Sequence, residues 1–143
     1  MDQQEEYERL RDEERATQDS LDDAYNEYGS TQDKINRLKS VRRTLYECCD
    51  SFKDVKKNVK RLVRDDYKWT GENYNLFSSY SSSLRGANDD YYRNLDEARD
   101  SINDEITRLE NEMYRQEGLI GHLRALLNSL ANKIQNVSNT LFD

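Results

Sequence analysis

The sequence predicts an all-α protein built as one long antiparallel helical hairpin. Three observations carry this. Charged residues make up 36% of the 143 residues, with five Gly and no Pro, which suits long helices with narrow apolar stripes and wet outer faces. Apolar residues recur at steps of three and four along two arms. The rhythm fails in one place only, between Asp65 and Asn73. Hydrophobic residues amount to 34%, low for a compact globule, yet ten Tyr, three Phe and one Trp argue against a disordered chain. The length suits a single domain spanning 1–143.

The first arm, about residues 3–66, has its stripe at Tyr7, Leu10, Thr17, Leu21, Ala24, Tyr28, Thr31, Ile35 and Leu38, with one position skipped at Glu14. From Leu38 the apolar positions move by one residue, to Val41, Leu45, Cys48, Phe52, Val55, Val59 and Leu62. Such drift is what a 3.6-residue helix does against a strict 3.5 repeat. At 1.5 Å per residue this arm is roughly 90 Å long. Gly29 is its weak point, a site for a slight kink, although the stripe passes through it in phase.

The break, about residues 67–73, contains the only Trp, in Trp69-Thr70-Gly71. The simplest architecture folds the arms back on each other here, because neither stripe is stable alone in water.

The second arm, about residues 74–141, reads Phe77, Ser81, Leu84, Asn88, Tyr91, Leu95, Ala98 and Ile102. It continues through Ile106, Leu109, Met113, Ile120, Leu123, Leu127, Leu130, Ile134, Val137 and Leu141. The Ser-rich stretch 78–88 with Gly86 is the poorest helix former, so fraying or a short break is expected there. Gly118 and Gly121 mark either a second kink or points of close packing. Leu119 and Leu126 widen the apolar face, so residues 119–141 are expected to touch more than one neighbour.

Charge is unevenly spread. Residues 1–33 carry 3 basic and 12 acidic groups, residues 34–68 carry 12 and 5, and residues 69–143 carry 7 and 12. With a turn near residue 70, residue i faces roughly 140 minus i, which brings Lys34–Arg43 near Asp96–Glu105 and supports antiparallel pairing. The run Lys53, Lys56, Lys57, Lys60, Arg61 and Arg64 then faces the Ser-rich stretch without an evident acidic partner. It reads as a solvated face or as a docking surface for an acidic partner. Flanking acidic segments and a sequence pI near 4.9 oppose nucleic acid and anionic membrane.

Several classes drop out. No apolar run reaches the ~20 residues of a membrane span. The acidic start Met1-Asp2-Gln3-Gln4-Glu5-Glu6 is not a signal peptide, so a cytoplasmic setting is expected. Zinc needs about four ligands, whereas Cys48 and Cys49 are adjacent and His122 is remote. A catalytic triad could draw only on His122, which sits among aliphatics, and no Gly-rich phosphate loop exists. The expectation is a non-enzymatic interaction protein with no catalytic residues, no cofactor and no metal. Cys48 and Cys49 are expected to be free thiols packed on the stripe.

Trp69-Thr70-Gly71 between two long amphipathic helices resembles the WxG turn of small proteins associated with type VII secretion. Adding Phe77, Asn88-Asp-Asp-Tyr-Tyr92 and Asp104-Glu-Ile106 before a Leu/Ile-rich helix, nearly the whole chain is similar to the YwqH-like family, encoded beside LXG toxins in Gram-positive bacteria. The resemblance implies an accessory protein that binds the helical N-terminal domain of an LXG-type toxin, with a second small helical protein. It also implies that the complex is presented to a type VII secretion machine. Trp69 would plug the end of the hairpin, Gly71 would permit a backbone shape barred to other residues, and Phe77 would cover the same end. The partner-binding set is then Trp69, Gly71 and Phe77 at the tip, with Leu119, Leu123, Leu126, Leu127 and Leu130 on the broad face. The matches Tyr46–Asp50 and Tyr92–Asp96 to a YxxxD/E export signal number what chance supplies, so export stays open. The alternative is a self-assembling coiled coil, a homodimer using the same stripes.

Overall fold

The computed structural model describes residues 2–64 and 71–142, with residues 59 and 62–64 in backbone only. Two helices account for them: α1, Gln3–Arg64, and α2, Gly71–Phe142. Asp2 caps α1, its Oδ1 accepting from Gln4 N at 3.4 Å and its carbonyl from Glu6 N at 2.9 Å. Glu5 and Glu6 complement the helix dipole in the first turn. Pairs one turn apart, such as Gln18–Asp22 and Arg108–Glu112, line the outer faces. α1 runs unbroken through Gly29, and α2 runs unbroken through Gly86, Gly118 and Gly121. A Cβ at any of these four glycines would meet nothing within 4 Å, so none marks a close approach inside this chain.

The Ser-rich stretch 78–88 is continuous helix, contrary to the expected fraying. Ser81 is half-buried and Asn88 buried. Packing outweighs the weak propensity of the serines.

The helices pack on each other as a hairpin, and the internal contacts fall into two compact units. Unit 1 comprises residues 1–36 and 108–143, and unit 2 comprises residues 37–107.

Unit 1 holds an aliphatic core. Leu10, Leu130 and Ile134 form one cluster, flanked by Tyr7 and Val137. Leu21, Ala24 and Ile120 form another, flanked by Tyr28, Leu123 and Leu127. Beyond the second cluster, on the side away from the first, lies a polar layer. Gln116 Nε2 donates to Thr31 Oγ1 at 3.0 Å, while Thr31 itself donates to the Glu27 carbonyl at 3.0 Å. Gln116 Oε1 is buried with no partner.

Unit 2 is packed differently. Its seam carries Phe52 against Tyr91 and Tyr92, with ring centroids 4.7 Å and 6.4 Å apart. Arg42 donates to Asn103 at 3.2 Å, and Arg99 lies over the Tyr46 ring. Lys56 Nζ lies 3.5 Å from Asp89 and 5.5 Å from the centre of the Tyr92 ring.

Burial corrects the stripe beyond Leu38. The seam continues in strict alternation of four and three through Arg42, Leu45, Cys49, Phe52 and Lys56, an unbroken seven-residue repeat from Tyr7. Glu14, half-buried, fills the skipped position. Val41, Cys48 and Val55 are exposed instead, and of the two free thiols Cys49 is the one that packs. On α2 the seam takes Tyr92 and Arg99, leaving Tyr91 and Ala98 exposed. Long Arg and Lys stems cover seam surface while their charged heads reach the edge.

The register also differs. Arg42 meets Asn103 and Lys56 meets Asp89, so facing residue numbers sum to 145 rather than 140. Carried forward, the same sum pairs Arg64 with residue 81. Lys56 therefore has an acidic partner that the 140 register did not supply.

Candidate functional site

Unit 2 presents two contrasting flanks. One is apolar. Val41, Cys48 and Val55 recur every seven residues on α1, and Leu84 and Tyr91 do so on α2, all exposed. Cys48, Phe52, Val55 and Tyr91 share a groove of about 430 Å³ whose rim is Thr44, Glu47 and Ser51. Exposed Tyr74, Leu76 and Tyr80 add apolar surface near the start of α2. Contiguous exposed apolar surface of this kind marks an interaction site.

The other flank is basic. Lys53, Lys56, Lys57, Lys60 and Tyr92 line a depression of about 320 Å³. A second, of about 230 Å³, shares Lys56 and Lys60 and adds Arg85, Asn88 and Asp89. Lys53 lies 3.9 Å from Asp50 of its own helix.

The partner-binding set from the sequence falls into separate places. Leu119 and Leu126 are exposed in unit 1, at 47% and 40%. Leu123 and Leu127 are half-buried beside Leu21 and Ala24, and Leu130 is 3% exposed against Leu10, so these three serve the internal seam. Gly71 opens α2 at φ 65°, the left-handed conformation that suits glycine. Phe77 is half-buried. Trp69 lies outside the described residues, as does the side chain of Arg64. Of the basic run, Lys53, Lys57, Lys60 and Arg61 are exposed and Lys56 is half-buried.

Sequence reasoning placed Val41, Cys48 and Val55 in the seam and left Arg85 unremarked. The spacing of seven in two adjacent stripes was the available signal: one stripe had to remain outside.

The YwqH-like family model matches residues 12–132 of the chain. The chain belongs to that family. No curated protein and no solved structure matches it. The match takes in all of unit 2 and most of unit 1, so both flanks lie within the YwqH-like region. Among the described residues, no group of three or more His, Cys, Asp or Glu is placed to hold a metal ion. No helix there is long and apolar enough to cross a membrane.

Proposed function

We propose that this protein is a non-enzymatic accessory protein of type VII secretion. It binds the helical N-terminal domain of an LXG-type toxin, together with a second small helical protein, and promotes toxin export. Membership of the YwqH-like family supports the partner class. The observation that carries the mechanism is the exposed row Val41, Cys48 and Val55 beside Leu84 and Tyr91. An amphipathic helix laid into the groove between these rows turns a two-helix seam into a three-helix core, the groove mode of helix recognition. Small polar residues at the rim, Thr44 and Ser51, let that helix approach closely.

The test is co-purification of the full chain with the LXG domain encoded beside it. Val41→Glu combined with Val55→Glu should abolish capture while leaving the helical content unchanged, because both side chains are exposed in the free chain. Capture that survives this pair refutes the groove. A wild-type chain that forms a stable homodimer by light scattering and ignores the toxin domain refutes the accessory role.

A further inference from the structure

The basic flank of unit 2 contains a feature that the apolar groove does not use. Asn88 is 8% exposed, and its Nδ2 donor is buried without a hydrogen-bond partner. A buried unpaired donor is costly, of order 1–3 kcal/mol, unless something satisfies it. Asn88 lines the notch of about 230 Å³ together with Lys56, Lys60, Arg85 and Asp89. Asp89 is committed to Lys56 at 3.5 Å. Among the described residues, Lys60 and Arg85 have no carboxylate within ion-pairing distance. The notch thus gathers two unengaged cations, a half-engaged one and an unused amide donor.

We propose that this notch seats a carboxylate projected by an acidic helix of the bound partner protein. This rests on the accessory reading above. Three features favour a helix-borne carboxylate over a phosphate. Asp89 is already inside the notch, so a monoanion is admitted more readily than a dianion. Lys53, Lys57 and Lys60 follow one face of α1 over about 10 Å, into the adjoining depression lined by Tyr92. That stripe matches acidic residues spaced by three and four on a neighbouring helix. The amide donor adds the directional bond that a solvated lysine face lacks.

The experiment uses the full chain labelled with ¹⁵N. It is titrated with a helical peptide carrying Glu at i, i+4 and i+7, and separately with inorganic phosphate. The side-chain amide signals of Asn88 should shift saturably with the peptide. Lys60→Gln combined with Arg85→Gln, both at exposed positions, should weaken the peptide about tenfold. The same pair should weaken the toxin-domain complex and flatten its salt dependence. Phosphate binding as tightly as the peptide overturns the acidic-helix occupant. Unmoved Asn88 signals, with toxin capture identical in wild type and the double variant, overturn the seat and leave the accessory role standing. A shifted Asn88 with no toxin capture by the wild type sinks the accessory role and keeps the seat.

Discussion

The polar layer at Thr31 and Gln116 makes a sharp prediction: Gln116→Leu should stabilise the protein. Gln116 makes one hydrogen bond, Nε2 to Thr31 Oγ1 at 3.0 Å, and buries Oε1 unpaired. Removing the bond costs about 1 kcal/mol, and removing the stranded oxygen returns about 1–3 kcal/mol. Leu adds roughly another 1 kcal/mol of apolar burial. Thr31 is not orphaned, since it still donates to the Glu27 carbonyl. The net gain is about 2 kcal/mol. With a urea slope of about 2 kcal/mol/M, the midpoint followed by circular dichroism rises by about 1 M. Thr31→Val should do the opposite, leaving Gln116 with both ends unpaired, and the double variant should recover most of the loss. A fall in the midpoint on Gln116→Leu refutes the reasoning, because the layer would then be a net source of stability. The layer's remaining use is register, since a polar seam residue penalises a slipped pairing.

Further predictions concern the seam, the glycines and one tyrosine. Leu130→Ala should cost about 3 kcal/mol and Leu126→Ala under ~1 kcal/mol, since Leu130 is 3% exposed and Leu126 40%; equal losses in denaturation would mean the outer face is covered in solution. Gly118→Ala should raise stability by about 1 kcal/mol, there being nothing within 4 Å of the added Cβ. Gly71→Ala should lower it by about 1–2 kcal/mol, because φ there is 65°; thermal melts of the two variants separate these cases. The Tyr28 phenol, donating to the Glu117 carboxylate at 3.1 Å, has its pKa raised above 10.0, first by that bond and then by desolvation and the charge of Glu117. The neutral phenol is the stabilising form. Its contribution is therefore present below pH 10.0 and lost as the pH climbs through the raised value. Difference absorbance against Tyr28→Phe should show one late-titrating tyrosine; titration earlier than the bulk of the tyrosines contradicts the bond.

The two helices and the antiparallel pairing were legible because periodicity and charge agree along most of the chain. The seam up to Leu38 was legible too, since there is one apolar stripe and it is the buried one. Beyond Leu38 two stripes compete, one through Val41, Cys48 and Val55 and one through Arg42, Cys49 and Lys56. Hydropathy picks the first and the fold buries the second. A pattern reports which faces repel water, not which of them the chain itself covers. The Asn88 notch was hidden for another reason. Arg85 and Lys60 are distant in sequence, and the five-residue difference in register decides whether they meet.

The uneven packing of the two units has a consequence for how long the free chain survives. Among the described residues, both clusters of buried aliphatics belong to unit 1, while the seam of unit 2 intersperses Leu45, Leu95, Ile102 and Ile106 with aromatic and charged side chains. Regions with few buried apolar contacts open locally at low free energy. In hydrogen exchange, amides of residues 37–64 and 71–107 should therefore lose protection first. A partner helix in the groove would slow them most. Under the proposed accessory role, proteases that sample open states would then clear unpartnered chains and spare occupied ones, tying the amount of this protein to the amount of its partner.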